Sequence, residues 1–255
     1  MMTDDQLLRY SRQIMLPALD VAGQEKLLAA RVLVVGLGGL GSPVAIYLAA
    51  AGIGHLVLAD FDRVDLSNLQ RQIVHSSADI GRPKVASARD SLLALNPSIA
   101  VTVLDRKLEG ADLAEQVAQA DAVVDCTDNF SVRFALNAAC VAAAKPLISG
   151  AAIRMEGQVS VFDTRDPASP CYRCLYQEGD DSQLTCSESG VIAPLVGMIG
   201  TTQALETLKV VAGFGRPLVG RVLLLDAYTL EWRSLKLRPD PACPVCGEQR
   251  HAPAV

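Results

Sequence analysis

Two features early in the chain could together hold a nucleotide. Gly36-Leu37-Gly38-Gly39-Leu40-Gly41 follows a β-rich apolar run and opens a helical pattern. At such a turn, backbone amides at the helix start can face phosphate oxygens with no Cβ in the way, and the helix end carries partial positive charge. Asp60 closes the next apolar run, at the position where an acid can bond ribose hydroxyls. Each also has a plain structural reading, a tight turn for the glycines and a solvated strand end for the acid. The pair together indicates a nucleotide without deciding between NAD and ATP.

The segment beginning at Asp60 bears on that choice. Asp60-Phe61-Asp62-Arg63-Val64-Asp65-Leu66-Ser67-Asn68-Leu69-Gln70-Arg71-Gln72 packs acids, amides and arginines beside the expected crevice, and Lys84 opens the next helical pattern. A dinucleotide oxidoreductase needs no such cluster. Displacement at a phosphate does, because there a protein works by positioning groups and neutralising charge. The residue types alone also fit a charged surface loop. Asp128, in Asp125-Cys126-Thr127-Asp128-Asn129, lies just past a later strand-like run. Ligand crevices of open parallel sheets lie outside the carboxyl ends of the strands, so Asp128 could face the same nucleotide and hold Mg²⁺ against a triphosphate. It could equally cap the helix that begins near Ser131.

The chain has seven cysteines. Cys171-Tyr172-Arg173-Cys174 and Cys243-Pro244-Val245-Cys246 are two Cys-x-x-Cys pairs, and four thiolates so arranged make a closed tetrahedral zinc site. With no open position, zinc there is expected to be structural, fastening the C-terminal strands to the middle of the chain. Redox dithiols or disulfides are the alternative in a more oxidising compartment. Cys186 lies in a polar, acidic stretch, 177–190, expected to be a mobile loop; Glu188, Asp180 and Asp181 should raise its thiol pKa rather than activate it. Cys126 and Cys140 fit small core residues. His55, His75 and His251 have no metal-ligand spacing and are assigned no chemistry.

The elements that must position these residues are legible in the apolar pattern. Half of the 255 residues are hydrophobic, 4% are aromatic and 20% are charged, which suits a well-buried α/β core. Strands are expected at 32–35, 56–59, 101–104, 122–125 and 146–149, alternating with helices at 43–51, 84–95, 112–120 and 132–144, the signature of a parallel sheet. From Gly157 the pattern turns to strands at 158–162, 221–225 and 231–236, which suit antiparallel additions to the same sheet. Residues 32–54 carry no charge, but Gly36, Gly38, Gly39, Gly41 and Pro43 would break one membrane helix. A formal net charge of −5 offers no basic field for nucleic acid or an anionic bilayer. The N-terminus lacks the pattern of a secretory signal, so a cytoplasmic protein with reduced thiols is expected.

These motifs, in this order, resemble the MoeB/ThiF/HesA family, bacterial relatives of the ubiquitin-activating enzymes. The resemblance runs from about Arg9 to Cys246 and also rests on Arg9-Tyr10-Ser11-Arg12-Gln13-Ile14, Gly81-Arg82-Pro83-Lys84 and Ser149-Gly150-Ala151-Ala152. It implies one ThiF-type adenylyltransferase domain over 1–255, with a helical arm (1–30), a nucleotide-binding half (31–150) and a carrier-binding, zinc-holding half (151–255). It implies a Rossmann-like, mostly parallel sheet with helices on both faces. ATP would lie over Gly36, Gly38, Gly39 and Gly41, with Asp60 on the ribose, Asn68, Arg71 and Lys84 on the phosphates, and Asp128 with Asn129 beyond them, Asp128 binding magnesium. Arg12 would reach across a homodimer to the partner's ATP. Cys186 resembles a cysteine that joins the carrier covalently in some relatives.

The implied reaction is adenylation of the C-terminal Gly-Gly carboxylate of a ubiquitin-like sulfur-carrier protein. The run Ile153-Arg154-Met155-Glu156-Gly157-Gln158 and the last cysteine pair look most like the branch that serves molybdopterin synthase through a MoaD-like carrier, with the thiamin carrier ThiS as the near alternative. An NAD-dependent oxidoreductase is the different class, supported by the glycine loop and Asp60 but not by Arg71, Lys84 or Asp128. Some relatives carry a sulfur-supplying C-terminal domain; without one here, sulfur is expected from a separate donor.

Overall fold

The computed structural model describes residues 2–176 and 190–247. Cys186, His251 and nearly all of the stretch expected to be a mobile loop lie outside the described residues. Five parallel strands form first: β1 (Arg31–Val35), β2 (His55–Ala59), β3 (Ala100–Leu104), β4 (Ala122–Asp125) and β5 (Leu147–Ile153). Then β6 (Glu156–Phe162), β7 (Arg221–Asp226) and β8 (Glu231–Lys236) add antiparallel, giving one eight-stranded sheet in the order β3-β2-β1-β4-β5-β6-β7-β8. Because β1 pairs with both β2 and β4, chain connections leave β1 in opposite directions, which opens a crevice beyond its carboxyl end.

Strand β1 shows why this sheet is buried on both faces. Val32 and Val34 enter the apolar layer under α3 (Asp20–Ala29), α4 (Gly41–Ala51) and α5 (Lys84–Leu95), whereas Leu33 and Val35 enter the layer under α6 (Gly110–Gln119) and α7 (Phe130–Ala142). Side chains alternate across a strand, so a strand covered twice must be apolar throughout. Edge strand β8 is exposed along its length. The N-terminal arm holds two short helices, α1 (Asp4–Arg9) and α2 (Ser11–Ile14), and α8 (Tyr172–Leu175) carries Cys174.

The expected strands and helices of the first half are all present, with ends shifted by one to a few residues. Beyond a few one-turn helices, one long element has no counterpart among the expected ones. Helix α9 (Ala193–Ala212) is the longest helix among the described residues and packs on α4, β5 and β6. Its run Ala-Pro-Leu-Val-Gly-Met-Ile-Gly is apolar on several sides because the helix lies between the sheet and α4, and such a helix lacks the one-sided periodicity that reveals a surface helix. Among the described residues no helix is long and apolar enough to cross a membrane.

Candidate nucleotide-binding site and cysteine cluster

The glycine loop leaves β1 by a turn that only glycine can make at two positions. Gly36 has φ +89°, and a Cβ there would stand 2.8 Å from the carbonyl oxygen of Cys126. A Cβ on Gly41 would stand 1.9 Å from the carbonyl oxygen of Gly36. The loop is thus folded against both itself and the segment after β4, and side chains are excluded from the crevice floor. Asp60 binds the same turn. Its Oδ2 accepts from the amide of Leu37 at 2.6 Å, and its Oδ1 accepts from the amide of Asp62 at 2.8 Å. Each carboxylate oxygen keeps a second lone pair for a ligand.

Of the residues expected at the nucleotide, Gly36, Gly38, Gly39, Asp60, Arg71, Lys84, Asp128 and Asn129 line one crevice. Three do not. Gly41 acts through the close turn just described. Asn68 lies in the one-turn helix Leu66–Asn68, where its Nδ2 is 3.4 Å from the hydroxyl of Ser67. Arg12 is exposed on α2, with Nη1 3.9 Å from the sulfur of Met15. The helix cap also differs from expectation: Asn129, not Asp128, is the N-cap of α7, its Oδ1 accepting from the amide of Val132 at 2.9 Å. That leaves the Asp128 carboxylate, which is exposed, outside the capping role.

Lys84 is the most buried cation of the expected set. Its side chain is 7% exposed, and Nζ donates to Oδ2 of Asp62 at 2.8 Å. Arg71 Nη1 donates to the carbonyl of Ser67 at 3.2 Å. Three further charged side chains line the crevice without having stood out in the sequence: Arg106, Lys107 and Arg133. Arg106 and Lys107 follow β3, so the rule that places ligands beyond carboxyl ends of strands could have found them. Gln72 is buried, and its Oε1 has no hydrogen-bond partner among the described residues. His75 has a structural place, with Nδ1 2.9 Å from the hydroxyl of Ser87 and Nε2 3.2 Å from the carbonyl of Leu37. Burial pushes its pKa below the ordinary value, which suits a neutral ring.

Several cations thus line the crevice beside an anion-accepting glycine turn, together with the exposed carboxylates of Asp62 and Asp128. The set fits a magnesium-bound polyphosphate, since Mg²⁺ is commonly held by one or two carboxylates together with substrate phosphates. Cys126 also borders the crevice, but burial raises its thiol well above the ordinary range, and Cys140 is raised for the same reason. Both belong to the core, as expected.

Away from the crevice, Cys171, Cys174, Cys243 and Cys246 converge with their sulfurs all within 4.8 Å of one another. Neighbouring sulfurs are 3.5 to 3.9 Å apart. A disulfide requires about 2.0 Å, whereas a tetrahedron with metal–sulfur bonds of about 2.3 Å sets its corners about 3.8 Å apart. The cluster therefore has the donor type, number and spacing of a structural zinc site. Two donors point at its sulfurs, the Nδ2 of Asn137 at 3.6 Å from Cys171 and the amide of Asp240 at 3.4 Å from Cys174, and such bonds favour the thiolate form.

Comparison with known proteins agrees with this architecture. The chain is 53% identical over 247 residues to the molybdopterin-synthase adenylyltransferase of Escherichia coli, covering 97% of this chain and 99% of that one. It is 48% identical over 246 residues to the sulfur carrier protein ThiS adenylyltransferase of the same organism, covering 96% and 97%. Among solved structures, E. coli MccB with ATP superposes with a TM-score of 0.82 at 25% identity, covering 94% of this chain and 73% of that one. The family model described as ThiF family matches residues 10–245, so the chain belongs to the ThiF family.

Proposed function

We propose that this chain is an ATP-dependent adenylyltransferase that activates the C-terminal carboxylate of a ubiquitin-like, MoaD-type sulfur carrier for molybdopterin biosynthesis. The observation that carries this reading is the convergence of the glycine turn, Asp60, Arg71, Lys84 and Asp128 on one crevice at the sheet's switch point. It is supported by near full-length similarity to molybdopterin-synthase adenylyltransferases. The ThiS adenylyltransferase likeness makes the thiamin carrier the second reading, at somewhat lower identity. ThiF-family membership leaves no role for NAD-dependent oxidation.

In the reaction, a carboxylate oxygen of the carrier attacks the α-phosphorus of ATP, the bond from that phosphorus to the bridging oxygen breaks, and pyrophosphate leaves with the electron pair. No protein base is required, because the carboxylate is already ionised at pH 7. The chain must hold the two reactants in line and neutralise the departing charge. We assign Asp60 to the ribose, Lys84, Arg71 and the neighbouring Asn68 to the phosphates, and Asp128 with Asn129 to the crevice mouth. Magnesium held by Asp128 would neutralise charge on the triphosphate. A sulfur nucleophile from a separate donor protein then attacks the acyl carbon of the resulting mixed anhydride. The bond from that carbon to the phosphate oxygen breaks and AMP leaves with the electron pair; Cys186 is not required before that stage. Zinc in the cysteine cluster is structural in this reading. The functional unit is a cytoplasmic homodimer of one ThiF-type domain per chain, in which Arg12 serves the partner's crevice. Intact-mass analysis of MoaD-type and ThiS-type carriers, incubated with the protein, ATP and Mg²⁺, tests this. An adduct of AMP mass on the MoaD-type carrier is expected. Adduct on the ThiS-type carrier alone would shift the assignment, and the absence of both any adduct and ATP–pyrophosphate exchange would overturn it.

A further inference from the structure

Beneath the carboxylate of Asp128 lies a buried pair of opposite charges. Arg133, on the first turn of α7, is 9% exposed, and Asp125, the last residue of β4, is fully buried. The Nη2 of Arg133 donates to the carbonyl of Thr127 at 2.6 Å, its Nε lies 4.0 Å from Oδ2 of Asp125, and its guanidinium carbon lies 5.9 Å from the ring centre of Phe130. From the other side, Oδ1 of Asp125 accepts from the amide of Thr127 at 3.0 Å and from its hydroxyl at 2.7 Å, while Oδ2 accepts from the hydroxyl of Ser149 at 3.0 Å. Thr127 is therefore held at its amide, its hydroxyl and its carbonyl by two buried ions, immediately before Asp128.

Stability alone does not account for this arrangement. Burying an ion pair is commonly no better for a fold than packing apolar side chains of the same volume. Here the pair is also imperfect, since Nε of Arg133 has no hydrogen-bond partner among the described residues. What the pair does provide is a fixed backbone on the segment that carries Asp128. It also provides a positive charge on the crevice wall, which Arg133 lines, to balance the Asp125 carboxylate against the anionic ligand.

We propose that Arg133 is a positioning residue for metal binding: by gripping the Thr127 carbonyl and balancing Asp125, it presets Asp128 to receive a divalent cation bound to the triphosphate. The inference rests on the assignment of Asp128 as the metal-binding carboxylate. Partners that orient a metal ligand typically contribute about 10–100-fold to metal affinity, and Arg133 falls in this class although it acts through the backbone.

The test uses full-length wild type, Arg133→Met, the double variant Arg133→Met with Asp125→Asn, and Asp128→Asn. Mn²⁺ binding in the presence of ATP is read by electron paramagnetic resonance, ATP binding in EDTA by calorimetry, and folding by thermal melts. Asparagine at 125 can still accept from Thr127 and donate to Ser149, so the double variant removes the stranded charge and is expected to regain stability that Arg133→Met loses. It carries the test if the single variant does not fold. The double variant, which leaves no charge stranded beside the anionic ligand, should bind ATP in EDTA within about twofold of wild type yet lose about 10–100-fold in Mn²⁺ affinity, whereas Arg133→Met should weaken in both. A purely structural role would restore metal affinity together with stability, and that result would overturn the proposal. Wild-type Mn²⁺ affinity in both Arg133 variants, beside weakened binding by Asp128→Asn, would do the same. Unchanged Mn²⁺ binding by Asp128→Asn itself would instead remove the assignment on which the inference stands.

Discussion

Lys84 is buried against the crevice, yet its partner Asp62 is about half exposed, so the two ends of this ion pair respond differently to substitution. Removing the ammonium leaves a carboxylate that water can solvate, and stability should change little. Lys84→Met is therefore expected to fold normally while ATP–pyrophosphate exchange falls by about 10²–10³-fold, the usual cost of one charge-stabilising donor. Adenosine binding, reported by calorimetry, should survive; its loss would place Lys84 in ribose or base recognition instead. A second expectation concerns Cys186, whose thiol could act only after the anhydride exists. Cys186→Ala should retain carrier-dependent pyrophosphate release, and a folded variant that lost it would reverse that order of steps. At this scale the legible residues were those whose types announce chemistry beside a strand end: the glycines, Asp60, Arg71, Lys84 and Asp128. Arg133 was not, because an arginine inside a helical pattern carries no sign of which way it faces until the packing is known.

The segment between β2 and α5 delivers Arg71 and Gln72 to the crevice and leads to Lys84 at the start of α5, and it is braced by a one-turn helix, Ser77–Asp79. Asp79 is buried, and burial alone would raise its pKa. The amide and hydroxyl of Ser76, at 2.9 and 2.7 Å from Oδ2, and the guanidinium of Arg82 outweigh that and lower it from 3.8 to about 2. A carboxylate whose pKa is lower folded than unfolded contributes stability that is present above its ordinary value and is lost as pH falls toward the folded value. Thermal melts of wild type and Asp79→Asn should thus differ most above pH 3.8 and converge as pH approaches about 2. A difference that persists unchanged to that pH would mean that the amide is penalised for geometry rather than charge. Elements of this kind explain where the sequence pattern stops being informative. Strands β1 to β5 alternate with helices in a strong period, but α9 is apolar on several sides, and its pattern is that of a buried filler rather than of an amphipathic helix. Its course shapes the site, because Val196 lines the crevice and approaches Gly39.

Helix α7 joins the two centres of the molecule. Asn129 caps it at the crevice, Arg133 grips the Thr127 carbonyl, and one turn further Asn137 donates to Cys171 and accepts from the amide of Tyr172 at 2.8 Å. Zinc in the cluster should therefore matter for the fold as a whole, since four thiolates tie residues 171–174 to 243–246. Freshly reduced protein is expected to contain one zinc per cluster, and chelation should lower the melting temperature before it abolishes ATP binding. Four freely titratable thiols with no metal present would refute this.

The arm before β1 sets the last expectation. Arg12 stands exposed on α2, outside the lining of its own chain's crevice, beside a run of exposed apolar side chains that includes Leu8, Met15 and Leu16. An arginine placed there either is solvated or completes a site on another molecule. If it serves the partner's crevice in a homodimer, Arg12→Ala and Asp128→Asn dimers should each be inactive, for separate reasons. A mixed dimer then holds one normal site, formed by intact Asp128 on one chain and intact Arg12 on the other, while its second site carries both defects. Random re-pairing of equal amounts makes half the dimers mixed, so about a quarter of wild-type sites should reappear in a symmetric two-site dimer. No model in which each chain completes its own site yields that gain. Co-refolding the two variants, verifying mixed dimers by native mass spectrometry and measuring ATP–pyrophosphate exchange gives the answer. Activity no greater than the sum of the two variants, with mixed dimers present, would rule out the sharing of Arg12 between chains.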